Sequence, residues 1–294
     1  MTLPAPLLPL DGPFELLVPT VVNGDDGATV RLPSRLQAAG GPVELVETIE
    51  LPVPLVDTPR TRAAVRVLHL VAGVSYYKCV VPTALVAGDL TARFDPDAGR
   101  SGAAPSPPPA SPPVEPAPGT VAPLVPVGGG KDSALVASLV PDGLLFAVNP
   151  VGAQEHLARA LGRPLLGVTR RLDPALRDLV AAGATNGHVP VTAITSAVAV
   201  LTAVALGSAE VIMGIERSAD EPSLVTADGV TVNHQFSKSS EAEHLLADAF
   251  EPTGVRWFSL LRPLTELAIG AAVAARGLAP HIVSCNRVFT VWNE

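Results

Sequence analysis

The strongest constraint on the fold is the alternation of short apolar runs with helix-like segments over the second half of the chain. Short apolar runs bounded by turn residues are typical of buried strands, and the segments between them predict covering helices. The predicted strands are 124–127, 144–149, 164–170, 210–214 and 281–286, and the predicted helices are 132–140, 154–162, 173–183, 189–209 and 265–277. This pattern predicts an α/β fold, a parallel sheet with helices on both faces. Ligands of such sheets bind at the carboxyl ends of the strands.

A proline-rich segment separates this region from the N-terminal part of the chain. Residues 101–123 read SGAAPSPPPASPPVEPAPGTVAP and contain nine prolines. Such a composition cannot build a core and predicts an extended linker. We therefore predict a small N-terminal α+β region over 1–98, a linker over 99–121 and a catalytic domain over 122–294. Within the N-terminal region, the pattern predicts a strand at 43–56 and a helix at 61–74.

The charge and cysteine content argue against several classes of function. The net charge is −8 and the basic residues form no cluster, which argues against nucleic acid and membrane partners. The two cysteines, Cys79 and Cys285, form no CxxC pair, so a cysteine zinc site is excluded and a disulfide framework is not expected. We expect a cytoplasmic protein, because the N-terminus also lacks the basic start of a signal peptide.

One uncharged segment is long enough to cross a bilayer. Residues 189–209 contain no charged side chain. They also contain Pro190 and several threonines and serines, and no basic flank marks one side. The segment therefore predicts a buried helix of an α/β domain.

Three glycines stand between the first predicted strand of this region and its helix, in the sequence VPVGGGKDS. Backbone N–H groups without side chains can approach phosphate oxygens, and a helix N-terminus favours an anion. A Walker loop would need glycine where Val125 stands, and serine or threonine where Asp132 stands. A dinucleotide fingerprint would need glycine at Ser133. Neither motif is present, and a plain glycine turn is the alternative to a phosphate-binding loop.

The remaining pattern, GGGKDS, resembles the SGGxDS loop of the PP-loop ATP pyrophosphatases, which cleave ATP between its α and β phosphates. Gly128 replaces the usual serine, which removes one hydroxyl donor and keeps the backbone cradle. The resemblance implies that ATP is bound by the six residues of the loop: Gly128, Gly129, Gly130, Lys131, Asp132 and Ser133.

Further segments make the resemblance more specific. They are HLVAGVSYYK (69–78), TNGHVPVTAITSAVAVL (185–201), VIMGIERSADE (211–221), VNHQFSKSSEAEH (232–244) and SCNRVF (284–289). Together with the glycine loop, they resemble the bacterial ATP-dependent epimerases of a peptidoglycan precursor, over most of 43–100 and nearly all of 122–289. Those enzymes invert the terminal glutamate of UDP-N-acetylmuramoyl-L-alanyl-L-glutamate to the D form. The family has a longer segment before the glycine loop and a Cys-rich tail after CNRxF, so we expect either a fragment or a divergent member.

The resemblance implies ATP and Mg²⁺ as cofactors, with AMP and pyrophosphate as products. It also implies functional coupling to a muramoyl-L-alanine L-glutamate ligase, and a role in cell wall synthesis, cell shape and division. The use of ATP has a chemical reason, because removing a proton next to an ionised carboxylate would build a dianion. An acyl-adenylate removes that charge and stabilises the enolate.

Two sets of polar residues are candidates for the phosphate end of such a site. Oxygen ligands suit Mg²⁺, and Asp132 is the first candidate, with Glu216 the second. Arg217 and Ser218 follow a predicted strand end and are expected to contact phosphate or carboxylate.

An epimerase needs one group to remove the α-proton and another to deliver a proton to the opposite face. The candidates within the motifs are Cys285, His188, His234 and Lys238. A thiolate with a lowered pKa and an imidazole both suit the task, so we predict Cys285 and His188 as the pair. Lys238 and His234 are the next pair. A buried apolar role for the cysteine and structural roles for the histidines are the alternatives.

Two other classes of protein stay open on the sequence alone. One is another adenylating PP-loop enzyme, either an amidotransferase-type ligase or a tRNA modifier. The net charge weakens the tRNA reading, and residues 1–98 offer no convincing Cys–His nucleophile set for a glutaminase. The other class is an inactive nucleotide-binding remnant.

Overall fold

The computed structural model describes residues 14–38, 41–80, 121–181, 189–225, 231–233 and 235–283. The strands are β1 (Phe14–Leu16), β2 (Thr20–Gly24), β3 (Gly27–Ala38), β4 (Gly41–Leu51), β5 (Leu124–Pro126), β6 (Leu144–Val148), β7 (Leu165–Arg171), β8 (Glu210–Met213), β9 (Leu224–Val225), β10 (Thr231–Val232) and β11 (Arg256–Ser259). The helices are α1 (Pro59–Val80), α2 (Lys131–Leu139), α3 (Gly152–Ala160), α4 (Ala175–Ala181), α5 (Val191–Leu206), α6 (Ser240–Phe250) and α7 (Glu266–Ala275).

Nine of these strands form one mixed sheet, with the order β1-β3-β4-β7-β6-β5-β8-β11 and with β2 paired to β3. The five strands from β7 to β11 along this order are parallel to one another. Strands β9 and β10 form a separate antiparallel pair. The predicted α/β class is therefore confirmed.

The two faces of the parallel part are covered by different helices. Leu124, Phe146 and Val211 pack into a core with residues of α1, α5 and α6. Their sequence neighbours Val125, Leu145 and Ile212 pack into a second core with residues of α2, α3 and α7. Since successive strand side chains point to opposite faces, this alternation puts helices on both faces, as predicted.

The N-terminal strands extend the same sheet. β3 and β4 form a long antiparallel hairpin, whose register runs from Ala38 opposite Gly41 to Ala28 opposite Leu51. β4 then pairs antiparallel with β7. The division of the chain into two regions and a linker stays a prediction, because nearly all of the linker lies outside the described residues.

Helix α5 is the centre of the larger core. The middle of α5 is buried, including Ser196 and Thr202. Their hydroxyls donate to the carbonyl oxygens of Thr192 and Val198, each at 2.8 Å, so burying these two groups costs little. No helix in the described part of the chain is long and apolar enough to cross a membrane. The prediction of a buried helix is confirmed.

Several details differ from the sequence predictions. β11 and α6 were not predicted, nor were β1 to β3. The predicted strand at 281–286 is wrong over its three described residues, because His281 ends a 3-10 turn and 282–283 are in no strand; residues 284–286 lie outside the described part. Asp173 Oδ1 accepts from the N–H of Ala175, the first residue of α4, at 2.9 Å.

Candidate active site

The glycine loop lies at the carboxyl end of β5 and leads directly into α2. Gly129 has a φ of +82°, and a Cβ added there would lie 2.9 Å from the Cβ of Ala153, so only glycine fits without strain. Ser133 braces the turn, since its hydroxyl accepts from the Gly128 N–H at 3.2 Å and donates to the Gly130 carbonyl at 3.1 Å. The chain after α7 closes against the loop, where the Val283 N–H donates to the Gly129 carbonyl at 2.8 Å.

A cluster of charged side chains stands at the start of α2. Lys131 Nζ lies 2.8 Å from Asp132 Oδ1 and 3.2 Å from Glu216 Oε1. A third carboxylate, the exposed Glu266 at the start of α7, lies 3.6 Å from the same nitrogen. Gly214 lets the end of β8 approach, because a Cβ there would lie 3.0 Å from the carbonyl oxygen of Asp132. The ends of the parallel strands β5 and β8 and the start of α2 thus bring together three residues predicted from the sequence, Lys131, Asp132 and Glu216.

The cluster shifts the pKa of two of its members. Burial raises the pKa of Glu216, the charge of Asp132 raises it further, and Lys131 partly opposes both. Burial lowers the pKa of Lys131, but its hydrogen bonds and charge interactions with Asp132 and Glu216 outweigh this and raise it overall. Glu216 Oε2 is buried and has no hydrogen-bond partner among the described residues. The site therefore contains the Lys131 ammonium and, beside it, the Oε2 atom of Glu216, which has no partner among the described residues.

This arrangement fits a nucleotide phosphate group and its metal ion. Mg²⁺ usually takes one or two carboxylates and completes its shell with water and substrate phosphates. Asp132 and Glu216 supply two carboxylates beside the loop, and the free oxygen of Glu216 is a suitable ligand. No larger group of acidic, histidine or cysteine side chains that could hold a metal occurs in the described ranges. These two residues could hold Mg²⁺, and Lys131 with the loop could hold the phosphates.

Other predicted residues lie on the segments that follow β8. Arg217 opens the 3-10 turn Arg217–Asp220 and its side chain is exposed. The Ser218 hydroxyl accepts from the Glu266 N–H at 3.4 Å. Lys238 ends a second 3-10 turn and its Nζ donates to Gln235 Oε1 at 3.3 Å. His188, His234 and Cys285 lie outside the described residues and stay predictions.

Sequence reasoning missed two residues that organise this site. Glu266 joins the Lys131 cluster, and Arg262 bonds to the backbone of both Glu216 and Lys238. Both belong to the segment around the start of α7, which was assigned only a helix. They reach the site because β11 ends beside it in the folded sheet, and no local sequence motif predicts that position.

The sheet, its covering helices and the glycine loop with its charged cluster define an α/β protein with a candidate nucleotide site at the carboxyl ends of its strands. A family model described as the MurL N-terminal domain matches residues 25–98 and 97–260. The chain therefore belongs to this family, as the sequence segments indicated, whereas the resemblance to the PP-loop ATP pyrophosphatases stays a prediction.

Three curated relatives carry the name UDP-N-acetyl-alpha-D-muramoyl-L-alanyl-L-glutamate epimerase. The protein of Salinispora tropica is 40% identical over 291 residues, which cover 86% of this chain and 63% of the relative. That of a Micromonospora species is 38% identical, with 86% and 64% covered, and that of Xanthomonas oryzae pv. oryzae is 35% identical, with 85% and 63% covered. The chain thus spans a little under two thirds of the length of these relatives.

Proposed function

We propose that this chain is an ATP-dependent epimerase of the PP-loop type. It inverts the terminal L-glutamate of UDP-N-acetylmuramoyl-L-alanyl-L-glutamate to D-glutamate through an acyl-adenylate and releases AMP and pyrophosphate. The observation that carries the proposal is the cluster of Lys131, Asp132 and Glu216 beside the glycine loop. The names of the relatives support the choice of substrate.

The loop and its cluster would bind the phosphates of ATP. The Lys131 ammonium supplies a charge-assisted contact to phosphate oxygens, which is stronger than a neutral hydrogen bond. A lysine is already protonated at neutral pH, and the contacts with Asp132 and Glu216 raise the pKa of Lys131 further. Asp132 and Glu216 would hold Mg²⁺. The bound ion would stabilise the charge that develops on the phosphates.

Activation of the glutamate carboxylate lets the chain remove a proton from the neighbouring carbon. The adenylate carries no charge at the carboxyl carbon, so the enolate that forms is not a dianion. Two groups on opposite faces would move the proton, and Cys285 with His188 stays the proposed pair. Support for Cys285 comes from Val283, two residues earlier, which bonds to Gly129 of the loop.

The product belongs in peptidoglycan precursor synthesis, which we place in the cytoplasm. The substrate is a peptide whose last residue is L-glutamate, so a ligase that joins L-glutamate to the muramoyl-L-alanine nucleotide must act before this enzyme. The net charge of −8 gives no support to a nucleic acid partner.

The test is to incubate the chain with ATP, Mg²⁺ and the L-glutamyl nucleotide, and to follow pyrophosphate release and the chirality of glutamate recovered by hydrolysis. We expect both pyrophosphate and D-glutamate. Lys131→Ala and Asp132→Asn should abolish both, whereas Asp248→Asn, at an exposed carboxylate of α6, should not. Pyrophosphate with only L-glutamate would indicate another adenylating enzyme. ATP binding without either product would indicate a nucleotide-binding remnant.

The acid–base pair is tested by solvent deuterium uptake at the glutamate α-carbon. Cys285→Ala and His188→Ala should each keep adenylation, lose exchange from one epimer and keep it from the other. Exchange of both epimers at the parent rate in both variants would transfer the assignment to Lys238 and His234.

A further inference from the structure

A single guanidinium, that of Arg262, joins three separate segments around the candidate site. Nη1 donates to the carbonyl oxygen of Glu216 and Nη2 to that of Lys238, each at 2.9 Å. Nε donates to Glu243 Oε2 at 2.7 Å. The side chain of Arg262 is only 19% exposed. These contacts span the loop after β8, the turn before α6 and α6 itself.

The carboxylate that anchors Arg262 is itself fixed. Glu243 Oε1 accepts from the Ser259 N–H at 2.8 Å, at the end of β11. The pair is largely buried, and a buried ion pair is tolerated only with good geometry and with its other oxygens and protons satisfied. Asp220 adds a second acidic group 3.8 Å from Nη1. Arg262 is thus held in one orientation by charge from two sides.

The three bonds require the planar fork of arginine. An arginine presents its donors in a fixed plane, whereas a lysine ammonium is a compact point charge. Two of the three acceptors are backbone carbonyls, so Arg262 fixes the main chain at Glu216 and Lys238. Neither segment can shift against the other without breaking a hydrogen bond to a charged donor.

The two fixed segments carry candidates for the two halves of the reaction. Glu216 belongs to the phosphate and metal side through its 3.2 Å contact with Lys131. Lys238 is one of the candidates for proton transfer. We propose that Arg262 is a positioning residue that couples adenylation to proton transfer by holding these two segments in register. This inference rests on the proposed function.

The test compares Arg262→Lys with Arg256→Lys, a matched change on β11, the strand that precedes Arg262 in the chain. Arg256 pairs with the carboxylate of Glu210, contacts neither Glu216 nor Lys238 within the described part of the chain, and has a more exposed side chain. The measured quantity is pyrophosphate released per glutamate inverted. We expect Arg262→Lys to raise this ratio by about tenfold, because a misplaced Lys238 segment slows proton transfer and lets water hydrolyse the acyl-adenylate before its α-carbon is inverted. Arg256→Lys should leave the ratio unchanged.

A merely structural role would have a different result. Loss of folded enzyme lowers both rates by the same factor, so an unchanged ratio in Arg262→Lys would overturn the proposal. Glu243→Gln provides a second variant, which weakens the anchor of Arg262 and leaves the arginine itself unchanged. We expect it to raise the ratio in the same direction and by less.

Amide hydrogen exchange separates this proposal from the proposed function. The relevant amides are those of Ala219, Glu221, Lys238 and Ser239, each hydrogen-bonded within its own turn. We expect Arg262→Lys to speed exchange in both turns by about tenfold and to leave the β11 amides unchanged. If the parent chain releases no pyrophosphate, the proposed function fails, and the exchange data then test only whether Arg262 holds the two segments in register. Unchanged exchange in either turn would overturn it.

Discussion

The guanidinium of Arg170 donates to both carboxylate oxygens of Glu47, with Nε 2.6 Å from Oε1 and Nη2 3.1 Å from Oε2. The Glu47 side chain is fully buried. The pair links β4 of the N-terminal hairpin to β7 of the parallel sheet, beside the pairing of Ile49 with Arg170. A buried bidentate ion pair thus accompanies the backbone hydrogen bonds at this junction.

Removing one partner of this pair should be costly. Arg170→Met leaves the carboxylate of Glu47 buried without its cation, and we expect a loss of about 3–5 kcal/mol in the free energy of unfolding. Arg171→Met is the control, since its pair with Glu50 is exposed by 65% and 43% and should contribute less than about 1 kcal/mol. Urea unfolding measures both. Similar losses in the two variants would contradict the importance of burial here.

The pKa of Glu216 should move in opposite directions in two variants of the cluster. Lys131→Met removes the group that lowers this pKa, so it should rise further. Asp132→Asn removes a negative charge that raises it, so it should fall. A carbon-13 titration of the Glu216 carboxyl group measures the change in each variant. Shifts of the same sign would show that the two neighbours do not act through their charges.

Gly129→Ala should destabilise the chain more than the same change at another left-handed glycine. Gly162 also has a positive φ, +64°, but a Cβ there meets nothing within 4 Å, so it shows the backbone cost alone. We expect about 1 kcal/mol at Gly162, and a larger loss at Gly129 because its new methyl group meets Ala153. The free energies of unfolding of the two variants test this. Equal losses would mean that the loop shifts away from α3 without cost.

The stability of the chain should fall in mild acid because of His69. Its Nε2 donates to the Pro33 carbonyl at 2.9 Å, and its Nδ1 is buried without a partner among the described residues. Burial lowers the pKa of His69 to about 4, and the bond to Pro33 opposes this only in part. Below the ordinary value of about 6.5 the unfolded chain takes up a proton that the folded chain does not. Stability is therefore complete above that pH and declines as pH falls towards 4.

The expected decline from this residue is about 3 kcal/mol between those two pH values. His69→Gln cannot take up the proton, so its stability should decline less steeply over the same range. His244→Gln, at an exposed position on α6, should decline as steeply as the parent. Unfolding free energies at half-unit steps of pH provide the slopes. A parent-like slope in His69→Gln would exclude this histidine as the cause.

Apolar runs predicted β5, β6, β7 and β8, whose aliphatic residues are largely buried. Alternation of apolar and polar residues predicted β4. β11 was missed because its four residues include Arg256 and Ser259, which break the apolar pattern. The antiparallel pairing of β4 with β7 also escaped prediction. Both segments read as strands, but no local signal identifies the partner of a strand so distant in sequence.

The residues of the candidate site also divide into those that the sequence predicted and those that it did not. Lys131, Asp132 and Glu216 were predicted from the glycine loop and from a strand end, two features that lie within short stretches of sequence. Arg262 and Glu266 were not predicted. Their roles depend on contacts with residues distant in the sequence, Lys238 for Arg262 and Lys131 for Glu266. Sequence patterns identify the polar residues at a strand end, whereas the residues that hold them in place are identified only from the folded structure.

The pairing of β4 with β7 also has a consequence for synthesis on the ribosome. Glu50 pairs with Thr169, so about 120 residues must be made after β4 before its partner exists. At roughly 10 residues per second this takes about 12 s, much longer than a hairpin needs to form. During that time the outer edge of the β3–β4 hairpin presents unpaired N–H and C=O groups that another strand could join. The nascent chain therefore passes through a period in which the free edge of β4 is exposed to the wrong partners, and β7 ends that period.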